Sequence, residues 1–154
     1  MSREVFTIGH SNQAWEAFAA LLKRHGVQVV VDVRSRPVSR HAPFANKRRL
    51  PTLLDGEGMR HVYLGDSLGG KPADPSLCDQ DGLPDYAKIR SQRLFKDGID
   101  ILLSLTEEST VALMCAEEDP KGCHRSLLIG PVLAARGVEL RHIRRDGTAG
   151  GVGG

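Results

Sequence analysis

The chain has 154 residues, of which 40% are hydrophobic, 26% charged and 5% aromatic, and its formal charge is +2. These values fit one soluble globular domain whose core is mostly Leu, Val, Ile and Ala. A charge this small does not by itself imply nucleic-acid binding, and no apolar run approaches the roughly twenty residues of a membrane span.

Strand-like and helix-like segments alternate from the start. Val5-Phe6-Thr7-Ile8 is a β-branched and aromatic run that stops at Gly9. Trp15, Phe18, Ala19 and Leu22 then recur at helical spacing, with Ser11 or Asn12 as the expected cap and Gly26 as the stop. Val27-Gln28-Val29-Val30-Val31 is the near-continuous apolar run of a central parallel strand. A polar loop from Asp32 to Asn46, a short helix near Lys47 to Leu54, a turn at Asp55 to Gly58 and a strand from Arg60 to Leu64 follow. Residues 65 to 84 collect Gly and Pro and read as a long loop, a kind usually functional or disordered.

A helical region is predicted from Pro84 to Leu105, with Leu94, Ile101, Leu102 and Leu105 on one face and an interruption at Lys96-Asp97-Gly98. Val111 to Met114 and Val138 to Ile143 are further strands, and the helix between them ends at Gly137. Pro131 lies inside that helix, removes a backbone donor and predicts a bend. The pattern predicts a single three-layer α/β domain over residues 1–146, with a mostly parallel sheet of about five strands and helices on both faces. A flexible Gly-rich tail is expected over residues 147–154.

The most informative run is Met114-Cys115-Ala116-Glu117 through Cys123-His124-Arg125. An apolar strand ends at Cys115, and a polar loop leads to Cys123-His124-Arg125 at the start of a helix. Helix starts offer N–H groups to anions, Arg125 adds a planar cation, and a cysteine in that field has its thiolate stabilised. Cys115 and Cys123 are therefore candidate nucleophiles or a reversible disulfide pair, and His124 a candidate general acid or base. Each has a structural alternative: a packed thiol, or an imidazole that fixes the loop. Arg125 has either a ligand anion or one of Asp32, Glu117, Glu118 and Asp119 as its partner. Zinc held by Cys115, Cys123 and His124, with Cys78 as fourth ligand, is disfavoured, because zinc spacings are usually tighter.

Ligands of parallel α/β sheets bind beyond the carboxyl ends of the strands. His10 and Ser11, Asp32 and Arg34, Gly69 and Gly70, and Cys115 and Glu117 all follow strands and should share that rim. Asp32 ends an apolar strand and needs a cationic partner, with one of Arg34 and Arg36 pairing it and the other left for substrate. Ser39-Arg40-His41 and Phe44 extend the loop, Phe44 either stacking on a base or plugging the core. Three cysteines, Cys78, Cys115 and Cys123, form no secreted disulfide framework, and Met1 to Phe6 carries no apolar signal segment. A cytoplasmic protein with reduced thiols is expected.

Thr7-Ile-Gly-His-Ser11, Val31-Asp-Val-Arg-Ser-Arg-Pro37, Leu68-Gly-Gly70, Met114-Cys-Ala-Glu117 and Cys123-His-Arg125 together resemble the family known as domain of unknown function 488. The resemblance implies a compact bacterial or archaeal α/β domain whose motifs form one cleft; it carries no activity. Gly130-Pro131 departs from the family's more regular helical pattern.

Three functional readings follow. The first is an enzyme acting on a phosphate-bearing or nucleotide-like molecule, held by Arg34, Arg36 and Arg125, with Cys115, Cys123 or His124 performing the chemistry. The second is a nucleic-acid-binding or nucleic-acid-processing protein that uses the arginines between 34 and 49. The third is a non-catalytic ligand sensor with residues 65 to 84 as a lid. An anionic small molecule or nucleotide is the expected partner, no membrane is, and the sequence specifies neither a cofactor nor an oligomeric state.

Overall fold

Val29–Asp32, four consecutive buried residues, form β2, second from one edge of the sheet. In the computed structural model, which describes residues 3–40, 42–72, 74–117, 119–120 and 123–150, the strand order is β3-β2-β4-β1-β5-β6. Here β1 is Arg3–Gly9, β3 Arg60–Tyr63, β4 Val111–Cys115, β5 Val138–Ile143 and β6 Ala149–Gly150. The first five strands run parallel, and β6 pairs antiparallel with β5. His41, Glu118 and residues 151–154, named in the sequence reading, lie outside the described residues.

Side chains alternate across the pleat, so each strand feeds two cores. Val29, Val31, Val111, Leu113 and Cys115 enter one. Val30, Ala112 and Met114 enter the other. Helices α1 (Trp15–Arg24) and α2 (Leu50–Gly56) cover the second through Phe18, Leu22, Leu50 and Leu54. Helices α3 (Gly65–Leu68), α4 (Tyr86–Ser91), α5 (Arg93–Glu108) and α6 (Gly130–Ala135) cover the first. The domain is α/β with helices on both faces.

The structure corrects several local expectations. Neither Ser11 nor Asn12 caps α1: Ser11 sits at φ 51, and α1 begins after Ala14 with no side-chain cap. The Gln13 amide instead donates to the Gly9 and His10 carbonyls. Gly26, at φ 69, does end the helix. The short helix near residue 47 starts later, at Leu50, after a 3-10 turn at Pro43–Ala45. Residues 65 to 84 are not one open loop, because they hold α3, a 3-10 turn at Pro75–Leu77 and a bridge between Cys78 and Pro84. The region after Pro84 breaks at Gln92, not at Lys96-Asp97-Gly98. The buried stripe of α5 is Phe95, Gly98, Ile99 and Leu102, whereas Leu94 and Ile101 are 57% and 47% exposed.

Pro131 reshapes its helix through hydrogen-bond bookkeeping. It lacks the N–H that would reach the Leu127 carbonyl, and Arg90 Nη1 donates to that oxygen at 3.2 Å instead. Just before it, Arg125–Ile129 widen into a π turn in which Gly130 N–H reaches back to the Arg125 carbonyl. The expected bend is thus a π turn followed by α6. At the carboxyl end, Asp146 accepts from both Thr148 N–H and its hydroxyl, Gly147 takes φ 91, and Ala149–Gly150 pair with β5. The segment expected to be loose from Gly147 onward is therefore a hairpin through Gly150.

Candidate active site

The alternation that makes two cores also divides the motifs. Asp32 pairs in register with Met114, whose side chain enters the α1/α2 core, whereas Cys115, one residue on, enters the other. The strand ends share one rim, but their side chains serve opposite faces.

On the α1/α2 side, Asp32 is fully buried and is met by Arg34, itself 4% exposed. Arg34 Nε donates to Oδ1 at 2.9 Å and Nη2 to Oδ2 at 2.7 Å, while the Arg34 N–H donates to Oδ1 at 3.0 Å. Nη2 also donates to the Ala45 carbonyl. Through Nε and Nη2 the guanidinium ties Asp32 to the backbone at Ala45, while Arg34 also borders the cleft described below and its Nη1 makes no hydrogen bond. His10 is buried with its edge against Phe44, and its Nδ1–H donates to the Ser11 carbonyl. Burial lowers its pKa, with Arg34 adding to the effect. Phe44 packs on Trp15 and Phe18 and so plugs the core. His10 and Ser11 act through the backbone: their N–H groups donate to the Cys115 and Ala116 carbonyls at 2.9 and 2.8 Å, extending the β1–β4 ladder beneath the cysteine loop.

The opposite side holds a cleft of about 500 Å³ bordered by Arg34, Arg36, Gly70, Lys71, Cys78, Tyr86, Cys115, Glu117, Cys123 and His124, among others. Two of its lining residues, Cys115 and Cys123, are buried, and their Sγ atoms lie 3.2 Å apart. Cys115 Sγ is also 3.6 Å from the Glu117 carbonyl. His124 Nε2 lies 2.8 Å from the Val33 carbonyl. Because a carbonyl only accepts, Nε2 carries a proton, and this turns Nδ1 toward Cys123 Sγ at 3.7 Å, where it can take up the thiol proton and donate it back to the thiolate.

The two thiols are driven apart in acidity. Donation from Cys115 pulls the Cys123 pKa well below the usual thiol range, helped by His124 and the Arg125 backbone against the opposing cost of burial. Cys115, as that donor and buried beside the other sulfur, is pushed well above it, with Arg125 working in the opposite direction. A Cys115 S–H that donates to Cys123 Sγ at 3.2 Å, instead of to the Glu117 carbonyl at 3.6 Å, stabilises a thiolate at Cys123.

Arg125 has no exposed surface and is not among the residues bordering the cleft. Its charge acts on Cys115, whose thiol pKa it lowers. Gly70 does border the cleft, and a Cβ there would come within 2.5 Å of His124 Cβ, so glycine lets the loop close against the imidazole. Gly69 is similarly tight against Ser35 Oγ and is not a lining residue. Glu117 is exposed at the mouth with Arg36 and Lys71.

The sequence reading missed Lys71, Tyr86 and Cys78 as lining residues. Lys71 directly follows Gly69-Gly70, and its N–H donates to Ser35 Oγ at 3.0 Å. Tyr86 opens α4 after the Asp85 cap, which was the available signal. Its hydroxyl pKa is raised by burial and by the charges of Cys123 and Glu117. Among the described residues no three His, Cys, Asp or Glu side chains come close enough to share a metal ion.

No helix among the described residues is long and apolar enough to cross a membrane. No curated protein and no solved structure matches the chain. A family model described as Domain of unknown function DUF488 matches residues 14–130, which carry β2 to β4, the cleft loops and both buried cysteines. With three quarters of its length matched, the chain belongs to the DUF488 family.

Proposed function

We propose that the protein is a thiol-dependent enzyme acting on a phosphate-bearing, nucleotide-like small molecule. The observation that carries this reading is the position of Cys123 Sγ, between Cys115 Sγ at 3.2 Å and His124 Nδ1 at 3.7 Å, beside a cleft with Arg36 and Lys71 among its lining residues. Cys123 is the nucleophile. His124, oriented by the Val33 carbonyl, accepts and returns its proton, and Cys115 donates to the thiolate. Arg36 and Lys71 supply charge for the anionic group, and about 500 Å³ is within the usual range for a small-molecule pocket.

The basic segment lends less support to general nucleic-acid binding. Arg34 is paired with Asp32, and Lys47 sits over the Tyr63 ring at 4.5 Å.

Iodoacetamide labelling with peptide mapping tests the enzyme reading. Inorganic phosphate or a nucleoside monophosphate is expected to slow Cys123 labelling severalfold in the native chain and to have no effect in R36A/K71A. Equal labelling with and without phosphate in the native chain overturns it.

A further inference from the structure

Two thiols in van der Waals contact are more than one nucleophile needs. Seven residues separate Cys115 from Cys123 in the chain, and their sulfurs meet where both residues line the cleft. Cys115 is 1% and Cys123 5% exposed, so a thiol from another large molecule is poorly placed to reach either. Cys78 borders the same cleft but makes no sulfur contact among the described residues. A small oxidant entering the cleft therefore meets Cys123 with one resolving partner already in place.

We propose that Cys115 and Cys123 form a redox-active dithiol that reduces hydroperoxides and closes to an intramolecular disulfide. The proposal rests on the reading of Cys123 as the cleft's nucleophile. In the first step the Cys123 thiolate attacks one peroxide oxygen, an S–O bond forms and the O–O bond breaks. The departing alkoxide or hydroxide takes the proton that His124 had accepted from the Cys123 thiol, leaving a sulfenic acid on Cys123 and a neutral imidazole. In the second step Cys115 gives up its proton and its sulfur attacks Cys123 Sγ. The S–S bond forms, the S–O bond breaks, and hydroxide leaves with that proton as water. The sum is two thiols and one hydroperoxide giving one disulfide, one alcohol or water, and one further water. Contraction from 3.2 Å to the roughly 2.05 Å of a disulfide is a movement of about 1 Å, within the range of side-chain rotation.

The test is to treat the reduced native chain with equimolar hydrogen peroxide and follow thiols and mass. The expected result is loss of two of the three thiols, a mass lower by two hydrogens, and a crosslinked peptide joining Cys115 to Cys123. Dithiothreitol should reverse all three changes. In C115S the same treatment should leave Cys123 sulfenic acid, trapped by dimedone, while C78S should still form the crosslink. Sulfinic acid on Cys123 of the native chain without a 115–123 crosslink overturns the proposal, as does a crosslink through Cys78. Phosphate-sensitive alkylation of Cys123 is scored separately, so the redox proposal can fail while the enzyme reading stands.

Discussion

Replacing Cys115 with Ala removes one donor and leaves the rest of the thiolate's surroundings in place. Cys115 Sγ, 3.2 Å away, is the largest influence lowering the Cys123 pKa. A hydrogen bond to a charged group contributes about 1.5–3 kcal/mol, and one pKa unit corresponds to about 1.4 kcal/mol, so C115A should raise the Cys123 midpoint by about one to two units. C115S keeps an O–H donor at the same place and should restore most of the difference. The assay is the rate of iodoacetamide labelling of Cys123 across pH, read by peptide mapping, because only the thiolate reacts. The predicted order of midpoints is native lowest, C115S slightly higher and C115A highest. Superimposable profiles for the three chains would refute the claim that Cys115 makes Cys123 acidic, and with it the division of labour between the thiols.

Three other outcomes are expected. D32N leaves the 4%-exposed Arg34 guanidinium without its anion; at about 3–5 kcal/mol for a broken buried pair, the melting temperature should fall by about 6–20 °C in differential scanning fluorimetry. His142 has its pKa lowered to about 4 from 6.5 by burial, with Arg125 adding to the effect, so the unfolded chain binds more protons between those values. Stability should therefore decrease as pH falls from 6.5 to 4, by about 2 kcal/mol from this residue after solvent screening, and urea titrations of H142N should show a shallower pH slope. G70A places a methyl against His124 Cβ and should reduce Cys123 labelling at pH 6 severalfold, and overpacking of about 1–3 kcal/mol should lower the melting temperature by about 2–12 °C.

The strands were legible because apolar runs bounded by Gly and Asp carry their own signal; Val138–Ile143 matches its expected limits residue for residue. The motifs' arrival at one rim was also legible, since parallel topology alone implies it. The face each side chain takes was not. Asp32 and Cys115 part company because of the pairing of Asp32 with Met114, a long-range register that neither segment encodes by itself. The α5 face was misread for a related reason: Leu94, Phe95, Ile99, Ile101 and Leu102 spread over more than one stripe, and burial follows the Phe95–Ile99–Leu102 side that joins the core with Leu68. The hairpin to β6 was missed although Asp146-Gly147 is a strong turn signal, because Ala149–Gly150 has no apolar alternation to mark a strand.

The thiol held as a thiolate is not the most exposed one, which gives the site its most direct test. Cys78 is half-buried, whereas Cys123 is 5% exposed. Substoichiometric iodoacetamide at pH 6, followed by peptide mass mapping, should label Cys123 in clear excess over Cys78 and leave Cys115 unmodified. Preferential labelling of Cys78, or none at Cys123, would show a packed thiol where this account requires a thiolate facing the cleft.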